Sequence, residues 1–353
     1  MTMAFALNHA ARQLRRFPRL TRTISTRQPA FGSLAFAFDI DGVLIRGPET
    51  IPGAQRALNI LKGENPLGVQ VPFILLTNGG GDFESAKSTK LSSQLGVQIH
   101  DSQVIQSHTI LRQLAHQYED KPVLVLGGKQ DMGRRIMNSY GFRDVYIPLD
   151  ILAWNPSIWP LGAEFISDRD LAFARKTDFS KTPISAIFVI HDPRPSWFLE
   201  IQVLVDVLRN QYCDVPQSQP ELVFCNPDLV WRGQFHHVRL GQGAFRDAFQ
   251  AVYRALEGKD YPYTQFGKPT KATYDFAQST LSQNGSRTNC YMIGDNPASD
   301  IAGANAAGWH SVLVHTGVYD RAHGPPVHMP THFADDVLSA VTWAFEREYG
   351  VKP

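Results

Sequence analysis

The chain has 353 residues, 43% of them apolar, enough to bury a large core and to form two domains of ordinary size. Apolar runs such as Val71–Leu76 stop far short of the ~18 residues of a membrane-spanning helix, so an integral membrane protein is not expected. The formal net charge of +1 hides an asymmetry: residues 1–32 carry Arg12, Arg15, Arg16, Arg19, Arg22 and Arg27 and no acidic residue, leaving 28 basic against 33 acidic residues in the remainder, with no basic surplus to point to nucleic acid.

In chain order, the first segment to interpret is that arginine-rich stretch. Arg12, Arg15 and Arg16 share one face of a helix whose other side shows Leu7, Ala11 and Leu14, the basic amphipathic pattern of a mitochondrial import segment. The run Arg22–Ser25 then lies near a processing site. The alternative is a basic arm that binds an acidic partner. Residues 35–39 (AFAFD) are expected to form a buried strand, and Gly53–Lys62 a helix with Ala54, Ala57, Leu58 and Leu61 inward. A second strand at Val71–Leu76 leads into a Gly-rich turn and a helix N-capped near Asp82.

The middle of the chain changes character. Residues 145–183 are rich in aromatics and prolines and suggest an irregular insertion. Strands at Ile184–His191 and Leu222–Asn226 and helices at Trp197–Asn210 and Ala244–Leu256 then describe a second α/β unit inserted into the first, with linkers near 118–122 and 258–266. Asn289–Ile293 and Ser311–Val314 return to strand, with a helical segment after Pro297 between them and a closing helix at Ala334–Glu348. Alternating strands and helices predict an α/β fold, a Rossmann-like parallel sheet flanked by helices. The expected organisation is a targeting segment at 1–32, a first core segment at 33–119, an inserted unit at 120–262 and a second core segment at 263–353.

Chemistry concentrates at the ends of the core strands, where open parallel sheets bind their ligands. Asp39 and Asp41, two apart on an extended segment, point the same way. Two such charges ~4 Å apart repel by roughly 4 kcal/mol at an effective dielectric near 20, so the pair needs a shared cation or a retained proton. After the second strand, LLTNGGG offers Thr77 and Asn78 as donors, with the amides of Gly79–Gly81 as an anion site. Lys268, between a glycine and a proline, is placed to hold a phosphate and offset a carboxylate. YMIGDNPASD ends a strand with Asp295 and sets Asp300 five residues on. Oxygen-only ligands of this kind favour magnesium over zinc or calcium, with Asp300 supporting from behind.

In this order, the four segments DIDGVLIRG, LLTNGGG, FGKPTK and IGDNPASDIAGAN resemble the motifs of the haloacid dehalogenase (HAD) superfamily over nearly all of residues 34–345. The long insertion resembles the α/β C2-type cap of class IIA, and the motifs together resemble the subgroup named after cat eye syndrome critical region protein 5, a mitochondrial branch. The resemblance implies an Mg2+-dependent phosphatase of small phosphorylated metabolites. It makes Asp39 the nucleophile, Asp41 the general acid/base, and Asp39, Asp41 and Asp295 the metal contacts. Thr77, Asn78, Gly79 and Lys268 become phosphate ligands, with Asp300 and Asn296 in support. It also implies a mitochondrial location, in the matrix, and a homodimer through the cap. Certain fungal relatives join this module to a phosphatidyltransferase-like membrane domain, hinting at a phospholipid-linked role. Two other functions stand beside hydrolysis: a scaffold that binds a phosphorylated ligand or mitochondrial partner without turnover, and phosphotransfer to an acceptor other than water. One departure is visible, since class IIA relatives often carry a second asparagine and a serine where this chain has Gly79 and Gly80.

Other features have plainer explanations. The D-x-D-G start also opens a calcium loop, but Val43 breaks its ligand series. His236, His237, His310, His315, His323, His328 and His332 lack zinc-type spacing, and Cys213, Cys225 and Cys290 cannot build a disulfide framework. Trp154, Trp159, Trp197 and Trp231 are expected to pack the cap, while Arg194, Trp231 and Arg232 lie in cap segments within reach of a ligand.

Overall fold

The computed structural model describes residues 33–160, 167–191, 197–216, 218–231, 233, 235, 237–282 and 288–353. The arginine-rich segment, Arg194, Arg232 and His236 lie outside the described residues.

The core begins with β1 (Ser33–Phe38), a small antiparallel pair β2 (Ile45–Arg46) and β3 (Glu49–Thr50), α1 (Ala54–Leu61), β4 (Phe73–Leu76), α2 (Glu84–Leu95) and β5 (Val104–Ile105). The inserted unit follows with β6 (Val123–Leu126), α3 (Met132–Tyr140), β7 (Val145–Tyr146), α4 (Pro148–Trp154), α5 (Asp168–Leu171), β8 (Ala186–Val189) and α6 (Trp197–Leu208). It continues through β9 (Glu221–Phe224), the hairpin β10 (Val230–Trp231) and β11 (Arg239–Leu240), α7 (Gln242–Glu257) and β12 (Thr264–Gln265). The chain then returns to the core as α8 (Lys271–Leu281), β13 (Thr288–Gly294), α9 (Ala302–Ala306), β14 (His310–Val314), β15 (His332–Ala334) and α10 (Val337–Tyr349).

The core sheet has the order β15-β14-β13-β1-β4-β5, parallel throughout. β1 shows why it sits at the centre. Its alternate side chains differ in size: Phe36 and Phe38, stacked with centroids 5.6 Å apart, face α1, α2 and α10, whereas Ala35 and Ala37 face α8 and α9. Both faces are dry, as a covered parallel sheet requires, and each buried phenylalanine contributes about 1.5–3 kcal/mol. The small-residue face lets α8 approach closely enough for Tyr274 to pack on the sheet.

The inserted sheet has the order β12-β9-β8-β6-β7, also parallel. Leu124, Leu126, Ile187, Val189 and Phe224 face α4, α6 and α7. Val123, Val125, Ala186 and Phe188 face α3 and the 3-10 helix Thr109–Tyr118. Trp154, Trp159 and Trp197 pack in the first of these clusters, while Trp231 is 44% exposed. β12 carries the inserted sheet three residues past position 262, leaving two residues before Lys268. Among the described residues no helix is long and apolar enough to cross a membrane.

Three elements differ from expectation. The described residues of 145–183 are more regular than their composition implies, because Pro148 and Pro156 occupy first-turn positions, where the missing N–H costs nothing. Asp150 is fully buried there and ties the segment down, taking Arg134 at 2.6 Å and the N–H groups of Ile147 (2.9 Å) and Arg175 (2.6 Å). Asp82 does not cap α2; its Oδ1 accepts the Phe83 N–H at 2.9 Å, so Phe83 holds the cap position and the helix starts at Glu84. The closing helix starts at Val337 rather than Ala334, because His332–Ala334 adds an edge strand and the Asp336 side chain then accepts the Ser339 N–H at 2.8 Å.

Candidate active site

Winding reverses between β1 and β13: the chain steps from β1 outward to β5 and later returns on the other side of β1. Asp39 follows β1 directly and Asp295 follows β13 directly, with the Asp39 N–H bonded to the Ile293 carbonyl at 2.9 Å. Thr77 follows β4 on the other flank. A cavity of about 230 Å³ opens there, lined from the core by Asp39, Asp41, Thr77, Asn78, Gly79, Lys268, Asp295 and Asn296, and from the inserted unit by His191, Asn226, Asp228 and Trp231. The sequence-predicted residues therefore meet, except that Asp300 sits behind the cavity wall, fully buried.

Lys268 is the hub. Its Nζ lies 2.6 Å from Asp39 Oδ1 and 2.7 Å from Asp300 Oδ1, at 2% exposure. Burial alone would lower the pKa of its ammonium, but the Asp300 and Asp39 carboxylates more than reverse this and hold it above the ordinary range. The Asp300 carboxyl is pushed up to about 6 by burial, with the Lys268 charge pulling the other way. Its Oδ2 accepts the N–H groups of Asp295 (3.1 Å) and Asn296 (3.0 Å). Asp300 thus steadies the turn that presents Asp295, and a Cβ on Gly294 would fall 2.2 Å from the Asp300 Cβ. Asn296 accepts the Ala298 N–H at 3.0 Å and caps the helical turn Pro297–Ile301.

Asn78 holds Lys268 from the other side. Its side-chain oxygen accepts the Lys268 N–H at 2.7 Å, its amide donates to the Lys268 carbonyl at 2.9 Å, and it also hydrogen-bonds Asp228. The Asn78 carboxamide, expected to meet phosphate, is engaged by these partners. Thr77 Oγ1 accepts the Gly79 N–H at 2.9 Å, which leaves the hydroxyl hydrogen to donate elsewhere. The Gly79 amide is therefore in use and not uncovered as predicted. Gly80 and Gly81 have a steric reason instead. A Cβ on Gly80 would lie 2.8 Å from His108 and 3.1 Å from the Ile190 carbonyl, and one on Gly81, at φ +89°, only 2.3 Å from His191. A serine at position 80 would crowd His108 and Ser107 of the core and the Ile190 carbonyl of the inserted unit.

The donor chemistry fits a hard divalent cation. Carboxylate oxygens of Asp39, Asp295 and Asp300 all lie within 4.8 Å of one another, yet Asp300 is held by Lys268 and two amides, so Asp39 and Asp295 are the available protein ligands. One ammonium faces three buried carboxylates. Burial first, then the Asp39 and Asp300 charges, drive the Asp295 carboxyl far above its usual range, a charge deficit that a cation corrects. Asp295 is wedged between two glycines: a Cβ on Gly42 or Gly317 would stand 2.4 or 1.7 Å from its Oδ2, which also accepts the Val318 N–H at 2.6 Å. All-oxygen donors suit magnesium. Among the described residues none of the histidines joins such a cluster.

Sequence reasoning missed two residues from the inserted unit. His191 follows β8 and lies against Gly81 of the core and the Gly127 backbone. Asp228 follows β9, and burial pushes its carboxyl up to about 7, opposed by the Lys268 charge and the Asn78 hydrogen bond. The N-P-D turn around Asp228, in which Asn226 Oδ1 accepts the Asp228 N–H at 2.7 Å, was its only local signal.

Comparison with known proteins bears on the family and the fold. The sequence matches the haloacid dehalogenase-like hydrolase family over residues 36–143 and the related HAD-hydrolase-like family over residues 265–340. It is 36% identical to Mitochondrial hydrolase YKR070W of Saccharomyces cerevisiae over 89% of this chain and 96% of that one. It is 38% identical to the cardiolipin synthase (CMP-forming) / mitochondrial hydrolase fusion protein of Schizosaccharomyces pombe over 96% of this chain, but spans only 58% of that relative's length. The crystal structure of hypothetical protein PH1952 from Pyrococcus horikoshii shares the fold at 21% identity, with a TM-score of 0.65 over 88% of this chain and 99% of the other.

Proposed function

We propose, on the premise that this chain belongs to the haloacid dehalogenase-like hydrolase family, that it is a divalent-cation-dependent phosphatase of small phosphorylated metabolites acting through Asp39. The observation that carries this is the Lys268 ammonium, fixed between Asp39 and Asp300 at the floor of a cavity covered by an inserted cap. Lys268 holds one oxygen of Asp39 and sets the rotation of that carboxylate, leaving the other to attack phosphorus. As the new Asp39–phosphorus bond forms, the bond to the leaving oxygen breaks and Asp41 gives that oxygen its proton. Asp41 then takes a proton from water, the water oxygen attacks phosphorus, and the Asp39–phosphorus bond breaks to release orthophosphate. Asp39, Asp295 and the Asp41 backbone carbonyl would hold magnesium, which when bound supplies positive charge to the phosphoryl oxygens. Thr77 and the Lys268 charge steady those same oxygens.

The cap excludes water and favours a small substrate. The exposed apolar side chains of its hairpin, Leu229, Trp231 and Leu240, support a homodimer through the cap. The names of the two yeast relatives and the composition of residues 1–32 support residence in mitochondria, and we propose the matrix as the compartment. The test is a panel of phosphate monoesters with and without magnesium. Metal-dependent release of free phosphate supports the reading. Tight binding without turnover, or phosphate passed to an alcohol acceptor, rejects it.

A further inference from the structure

Beside the catalytic cavity lies a second cleft of about 370 Å³, which shares Gly80, Lys87 and His191 with it. Three lysines line this cleft: Lys87 and Lys90 from α2 and Lys129 from the loop after β6. Lys87 and Lys90 are three apart and so lie on one helix face. Among the described residues none of the three has an ion-pair partner. The carboxylate in the cleft is Asp82, whose Oδ1 already accepts the Phe83 N–H. The cleft therefore carries excess positive charge, walled by the core on one side and the cap on the other.

We propose that this cleft receives a second anionic group, carried on the leaving portion of the substrate, while the phosphoryl group sits at Asp39; the substrate is then doubly anionic. The inference rests on the phosphatase reading and names its substrate class. Geometry supports it in two ways. Lys87 borders both spaces, so a short molecule reaches from one to the other. An anion held by α2 and the loop after β6 also ties core to cap, favouring the closed enzyme only when the correct substrate is present. The lysines are partly or fully exposed, so each attraction is modest and sensitive to salt.

The test compares alkanediol bisphosphates of three to six carbons with the matched alkyl monophosphates. At least one bisphosphate should show kcat/KM higher by roughly tenfold, expressed in KM, and the advantage should shrink as salt rises from about 50 to about 500 mM. The variant Lys90→Gln/Lys129→Gln should abolish the advantage while p-nitrophenyl phosphate turns over as before. ω-Carboxyalkyl phosphates, run alongside, separate a second phosphate from a carboxylate. Equal kcat/KM for mono- and bisphosphates, or an advantage that survives the double variant, overturns the inference and leaves the hydrolase reading standing. If no ester is hydrolysed, that reading fails instead, and calorimetric binding of butane-1,4-diol bisphosphate against butyl phosphate decides the cleft. Tighter bisphosphate binding that the double variant loses upholds it, and equal binding removes it.

Discussion

Asn78 and Lys268 grip each other by two hydrogen bonds, 2.7 and 2.9 Å long, although 190 residues separate them in sequence. The core strand that ends before Thr77 thereby sets the backbone position of the ammonium. Asn78→Ala should lower stability by about 2–4 kcal/mol, since it leaves a buried N–H and carbonyl unpaired. It should also cut kcat by about a hundredfold through displacement of Lys268. Thermal melts and phosphate-release kinetics on the same preparation check both. A variant that melts lower but turns over normally would deny Asn78 its positioning role.

Asp39→Asn keeps the shape of the side chain and removes the nucleophile. Turnover should drop by about 10⁴-fold or more, with circular dichroism and melting behaviour close to those of the parent. Intact-mass analysis after rapid acid quench should find a phosphoryl adduct on the parent and none on the variant. Residual activity near the parental level would move the chemistry to another residue.

Gly317 has an ordinary backbone, so the cost of adding a methyl group there is steric. The new Cβ would lie 1.7 Å from Asp295 Oδ2 and 2.4 Å from its Cγ. Gly317→Ala should therefore turn Asp295 aside and raise the magnesium concentration for half-maximal activity by about tenfold or more. Magnesium should raise the parental melting temperature by linkage and raise that of the variant less. Identical metal titrations would remove Asp295 from the ligand set.

Glu200 on α6 is 5% exposed, and its Oε2 has no hydrogen-bond partner among the described residues. Burial lifts its carboxyl from 4.5 to about 8. In the folded protein it keeps its proton over a range where the unfolded chain has lost it, so stability is full below pH 4.5 and declines as pH rises toward 8. At neutral pH the loss is on the order of 2–4 kcal/mol. Glu200→Gln should flatten this slope and melt higher than the parent at pH 8, with little difference at pH 4.5. Parallel melting-versus-pH curves would show that Glu200 is ionised in the fold.

Much of this was legible beforehand because it depends on local pattern. The apolar run Ala35–Phe38 followed by two aspartates marks a buried strand that ends at a site, and Asp295 repeats the pattern on β13. The meeting of Asp39, Asp295 and Asp300 followed from their standing in turns after the neighbouring strands β1 and β13, whereas Lys268 reaches them from the turn after β12 of the inserted sheet. What escaped notice depends on contacts between distant segments. His191 and Asp228 acquire meaning only once the cap lies over the core, and the hold of Asn78 on Lys268 needs two loops to meet. The strands β5, β12 and β15, two or three residues long, carry no periodicity of their own and exist because longer neighbours offer them an edge.

Thr264 and Gln265 pair with the cap sheet, whereas the chain from Lys271 onward belongs to a core helix. The ammonium therefore stands on one of the two bridges between the core and the inserted unit, where a swing of the cap would drag it. Its tether to Asn78 anchors it on the core side of that bridge. Phe266 still belongs to the inserted unit, its N–H on the Phe224 carbonyl at 2.8 Å, so a hinge would fall at Gly267, whose φ of +92° glycine adopts without strain. A cap that swung about this point would leave the charge seated on Asp39.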